Sequence, residues 1–122
     1  MKLLLSLFLF GASGYVLIEL LWRGRSHVSM ALAGGLSMLM LYGIQRLLPE
    51  NPILLKSLLG AAGITAVEFF IGLYVNIRLR LGVWNYSDLP LNVRGQICLP
   101  FSAAWYGICV PIFLWLELAL YN

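Results

Sequence analysis

Three glutamates fall inside otherwise apolar runs of this 122-residue sequence, and the search for chemistry starts with them. An ionisable group in lipid costs several kcal/mol, roughly 2.5 to over 10, so it persists where it is buried in protein, paired, or facing water. Glu68 is the deepest, ten residues before Arg78, which is about 15 Å of helix. On a helical projection Ser57, Ala61, Thr65, Glu68, Gly72 and Asn76 share one stripe about 100° wide. Two readings of that stripe stand. In one, small residues pack helices closely and a protonated Glu68 bonds to a neighbour. In the other, the stripe lines a water-filled path, with Glu68 binding a cation or proton and Thr65 and Asn76 on the same wall. Glu19 precedes Arg23 by four residues, the favourable order for an ion pair on one helix face. That pair is a structural bridge near the interface, or one wall of a site. Gly11, Tyr15, Glu19 and Trp22 share its face. Glu117, close to Asn122, reads as an anchor that reaches the membrane surface, although Ser102, Tyr106, Cys109, Phe113 and Glu117 share a face.

Other reactive residue types are sparse. His27 is the only histidine; it excludes a bis-histidine haem within one chain and marks no metal site. Beside Arg23 and Arg25 it belongs to a basic patch suited to anionic lipid headgroups. Cys98 and Cys109 would lie about 16 Å apart along a helix, beyond disulfide reach. There is no phosphate-binding GxxxxGK[ST] loop and no Ser-His-Asp arrangement, so no cofactor and no enzymatic activity are expected.

The elements that must hold these residues are set by composition. Hydrophobic residues make up 61% of the chain and charged ones 11%, against about 25% charged in a soluble domain. A water-soluble enzyme is excluded. Eight Lys and Arg against five Asp and Glu are too few charges to track phosphates, so nucleic acid is no partner. The expected class is an all-α integral membrane protein with the lipid bilayer as its surroundings. A spanning helix takes roughly 20 apolar residues, and four such runs fit, at about 3–22, 28–48, 54–77 and 102–121, within a single membrane domain over 1–122. Met1 to Gly14 has the look of a signal peptide, but the apolar run continues to Trp22, which favours a first membrane helix. The second helix carries Ser26, Ser29, Ala33, Ser37 and Met40 on one side, a face for packing.

Lys and Arg near helix ends set orientation. Arg23, Arg25, Arg78, Arg80 and Arg94 lie on one side, and Lys2, Arg46 and Lys56 on the other. The arginine-rich side, with loops 23–27 and 78–101, is expected in the cytoplasm, and a bias this small leaves dual insertion open. The connection Leu79 to Phe101 is the most individual segment. Trp84 and Tyr86 suit the headgroup belt. The run Asn92 to Phe101 is apolar but too short to cross, so it reads as a re-entrant or interfacial segment before the last helix, or as an ordered surface loop.

This segment also carries a resemblance. Trp84-x-Tyr86-Ser87, Pro90-x-Asn92, and Gly95-Gln96-Ile97-Cys98-Leu99-x-Phe101-Ser102 with Trp105 resemble the hallmark of a bacterial membrane family described as "putative ABC-transporter type IV". Gly14-Tyr15 with Glu19, Gly24 to Met30 with Gly34-Gly35, and Glu68 with Gly72 and Asn76 are similar to it as well. The chain departs from that pattern at Asn85, where the family has an acid, and at Val28, where it has an aromatic. The resemblance implies a permease-like component of the bacterial cytoplasmic membrane, with any ATPase on a separate polypeptide. Four helices are few for a permease, which implies a homo-oligomer.

The leading expectation is therefore a small transport protein, channel or carrier, built on Glu68, Thr65 and Asn76, with Glu19 and Arg23 at the arginine-rich mouth. The loop motif Trp84, Tyr86, Ser87, Asn92, Gln96 and Ser102 completes the candidate site. A scaffold or subunit that binds partner helices is the second expectation. A lipid-acting enzyme using His27, Asp88, Asn92 and Arg94 at headgroup level is the third.

Overall fold

The computed structural model describes residues 1–121. Four helices are long and apolar enough to cross a bilayer. They are α1 (Lys2–Arg23), α2 (Val28–Leu47), α3 (Ile53–Gly72) and α4 (Leu99–Tyr121). A π-helical turn (Leu73–Arg78) extends α3, and two short strands, β1 (Asn92–Val93) and β2 (Ile97–Cys98), precede α4.

Local chemistry sets the ends. Gly24 closes α1 in the left-handed region at φ 75°, its N–H donating to the Leu20 carbonyl at 3.0 Å, a conformation that glycine adopts at little cost. His27 caps α2, its Nδ1 accepting the Ser29 N–H at 3.1 Å. Pro49 and Pro52 bracket the short turn into α3, where neither can continue a helix. Past Gly72 the hydrogen bonds lengthen to the wider π pattern, with Leu79 N–H donating to the Tyr74 carbonyl at 2.9 Å.

Sequence neighbours pack side by side, so the helices form an up-down-up-down bundle. The closest approach is between α1 and α2. A Cβ on Gly11 would strike the Gly34 carbonyl oxygen, and one on Gly34 would strike that of Gly11; two hydrogens at the crossing let the backbones touch. Helices α1 and α4 meet instead through long side chains. Phe10 stacks on Trp115 with centroids 5.3 Å apart, Tyr15 tilts against Trp105 at 5.2 Å, and Trp22 stands edge-on to Phe101 at 6.4 Å. Met30, Leu41, Cys109, Phe113 and Leu116 fill the interior.

One boundary differs from the sequence reading. The fourth helix starts at Leu99 rather than near Ser102, because proline is tolerated in a first turn and Pro100 sits in one. The stretch before it is an antiparallel pair, Asn92 opposite Cys98 and Val93 opposite Ile97, folded back onto the end of the bundle. Its turn uses left-handed backbone at Leu91, Arg94 and Gly95, and Asn92 holds it by donating to the Leu89 carbonyl and accepting the Gly95 N–H.

Candidate functional site

Glu68 is 2% exposed and is reached from three other elements. Tyr15 on α1 donates its hydroxyl to Oε2 at 2.7 Å, and Trp105 on α4 donates its indole N–H to Oε1 at 2.8 Å. Tyr86, in the connection before β1, brings a second hydroxyl to Oε2 at 3.5 Å. All three donors are neutral rings. Burial, then the nearby carboxylates of Glu68 and Glu19, hold the Tyr86 pKa well above its ordinary value, so that hydroxyl remains a donor across the physiological range. Phe101 stacks on the outer face of Tyr86 at 4.7 Å.

The connection that carries Tyr86 and the hairpin caps the bundle and reaches Glu68 because α3 and the π turn hold it. Asn76 donates to Gln96 Oε1 at 2.8 Å and accepts the backbone N–H groups of Val83 at 2.6 Å and Trp84 at 3.3 Å. Trp84 donates its indole N–H to the Gln96 carbonyl at 2.9 Å. Gly72 leaves room for this docking, since a Cβ there would meet Gln96 Oε1 at 2.5 Å. Asn76 and Gln96 therefore fasten the cap. Ser87 lies exposed in the turn, its N–H donating to Asn85 Oδ1 at 2.9 Å.

The predicted stripe divides, its last member Asn76 lying on the π turn beyond the end of α3. Thr65 faces Ser102 of α4, hydroxyl to hydroxyl at 2.7 Å. Glu19 and Arg23 form the expected ion pair at 2.5 Å. Arg23 goes further, donating to the Val83 carbonyl at 2.9 Å and so tying α1 to the cap. Glu19, Trp22, Tyr86, Phe101 and Trp105 line a cavity of about 180 Å³ on one side of the Tyr15–Trp105 pair. A second cavity, of about 230 Å³, opens on the other side between α1 and α4. Ser37 lines it with a buried hydroxyl that has no partner. His27 caps α2 while Asp88, Asn92 and Arg94 lie on the connection, where the Asn92 amide is occupied by the turn.

Two features escape a reading of the sequence. Tyr15 and Trp105 hold Glu68, and their signal was available: a polar-tipped ring deep in a span, away from the headgroups, needs a buried partner. Lys56, read as an end charge, is completely buried, donating to Gln45 Oε1 at 2.7 Å and Glu117 Oε1 at 2.6 Å. Glu117, its side chain still part-exposed, is thus also half of an α3–α4 ion pair. Sixty-one residues separate the two charges, so no helical spacing announces them. Among the described residues no group of three or more His, Cys, Asp or Glu could hold a metal ion, and both cysteines are free.

Four spanning helices and a carboxylate sealed among them define an integral membrane protein. The chain belongs to the family described as "Putative ABC-transporter type IV", which matches residues 5–122. No curated protein and no solved structure matches it.

Proposed function

We propose that the chain is a small transport protein, a channel or carrier for an ion or small solute, that works as a homo-oligomer with Glu68 as its central coordinating or protonatable group. One observation carries this reading: the buried carboxylate is met by neutral ring donors, Tyr15, Trp105 and Tyr86, where a structural acid would take a cation. Hydrogen bonds from neutral groups orient a carboxylate but leave its charge uncompensated, so a proton or cation is attracted to it. Thr65 and Asn76 extend the polar face on either side, and Glu19 with Arg23 guards the arginine-rich mouth, which faces the cytoplasm of a bacterial cell. The family description supports a transport role, with any ATPase on a separate polypeptide.

Flux of protons, alkali cations and common anions in proteoliposomes tests the reading, comparing the native chain with Glu68→Gln at matched folding and oligomer size. Loss of flux in the variant is the expected result. Unchanged flux would move the path away from Glu68, and no flux from either protein would overturn the reading. A scaffold that binds partner helices is the second reading. It is favoured by the same carboxylate acting as the point where α1, α3, α4 and the cap are joined, and co-purification of one stoichiometric membrane partner would support it.

A further inference from the structure

At the arginine-rich end two concavities meet. The first is a cup of about 210 Å³ whose wall includes Arg25, Ser26 and His27, closed on the far side by Leu81 to Val83 of the connection. The second is an apolar groove of about 610 Å³ that runs down between α2 and the α3–π segment, along Leu32, Phe70 and Tyr74. The two share His27 and Leu81, so the cup and the groove adjoin.

The chemistry of the cup is anionic recognition. The guanidinium of Arg25 is exposed. His27 Nδ1 accepts the Ser29 N–H, which fixes the ring proton of the neutral imidazole on Nε2 and leaves that N–H as a donor. A phosphate seated in the cup would find a donor in each. The groove below demands an apolar occupant of matching length. Phe70 precedes the end of the π turn at Arg78 by eight residues, at most about 12 Å of helix, or most of the hydrocarbon depth of one leaflet. Phe70, Tyr74, Leu32 and Leu81 are all exposed along it.

We propose that cup and groove together form a site for one anionic phospholipid, its phosphate between Arg25 and His27 and one acyl chain between α2 and α3. Neither half alone selects this ligand. A soluble phosphate would leave the groove empty, and a zwitterionic lipid offsets the phosphate with its own ammonium. The site is separate from Glu68, so it stands whether or not that carboxylate lies on a transport path.

Native mass spectrometry of the purified chain tests the site, after incubation in micelles with equal phosphatidylglycerol and phosphatidylcholine. One retained phosphatidylglycerol per chain is expected, in excess over phosphatidylcholine. Arg25→Gln is expected to lower that retention about fivefold, the effect of roughly 1 kcal/mol for one juxtamembrane charge. Arg94→Gln, at the same membrane face but outside the cup, should leave it unchanged. Leu32→Trp, which fills the groove, should lower retention of both lipids. Equal retention of the two lipids overturns the proposal. So does an Arg94→Gln loss as large as that of Arg25→Gln, which would make the attraction diffuse. Displacement of the lipid by millimolar inorganic phosphate would reduce the site to a phosphate cup and overturn it equally.

Discussion

Glu68 is held by hydrogen bonds whose donors come from residues 53, 37 and 18 positions away in sequence. Each donor orients the carboxylate without neutralising it, and each is itself a ring packed in the bundle. Removing the Trp105 N–H by Trp105→Phe keeps an aromatic ring against Tyr15 but leaves Oε1 short of its donor. A buried polar group stripped of its partner costs about 1–3 kcal/mol, more if charged. Trp105→Phe is therefore expected to lower the thermal midpoint in detergent. The same change in a Glu68→Met background should cost less, because no acceptor remains to be orphaned. Equal costs in the two backgrounds would show that the indole contributes by packing alone. The residue type was legible in the sequence here and the partner was not. A lone acid in an apolar run announces that something must satisfy it, whereas which ring does so depends on how three helices and a loop rotate against one another.

At the scale of elements, helix existence was legible because a span is a matter of length and hydropathy. The ends were less so. Nothing in the run from Leu73 to Arg78 distinguishes a π turn from an α turn, and it shows only in the five-residue spacing of the bond from the Leu79 N–H to the Tyr74 carbonyl. The aromatic rungs between α1 and α4 were illegible for a related reason. Phe10, Tyr15 and Trp22 face Trp115, Trp105 and Phe101 only once two distant helices are set antiparallel in register. The α1–α2 crossing makes a sharper demand, since a Cβ added at Gly34 would strike the Gly11 carbonyl oxygen and the Cβ of Tyr15. A side chain there must push α1 away and carry Tyr15 with it. Gly34→Leu is expected to abolish the monodisperse folded protein, or to lower its melting midpoint severely. Gly107→Ala, at a position with open space around it, should leave the midpoint unchanged or slightly raised, since alanine is favoured over glycine in a helix by about 1 kcal/mol. Equal tolerance at both positions, judged by gel filtration and melting, would mean that the crossing is looser than its geometry.

The whole molecule has two unlike ends, and this asymmetry governs how it sits in a bilayer. One end carries the hairpin cap, the lipid cup and five arginines (Arg23, Arg25, Arg78, Arg80 and Arg94), while the other carries Lys2, Arg46 and Lys56. Insertion counts positive charges in short loops near helix ends, with little regard to acids. The burial of Lys56 against Glu117 therefore does not remove it from the count that acts before the bundle has formed. Five against three is expected to direct the cap to the cytoplasm, as a preference and not a prohibition on the opposite orientation. Single cysteines report the outcome once buried Cys98 and Cys109 are replaced by alanine. Glu50→Cys and Ser87→Cys sit on exposed residues of opposite ends. A membrane-impermeant maleimide applied to intact cells is expected to label the cysteine at 50 and to reach that at 87 only after permeabilisation. The reverse pattern would place the cap and its lipid cup outside the cell. Partial labelling at both positions would mean that the chain inserts both ways, and an oligomer could then be antiparallel, with the Glu68 sites of neighbouring copies near opposite leaflets. The charge count alone makes that arrangement reachable, and adding one lysine beside Arg25 should then shift the labelling toward a single orientation.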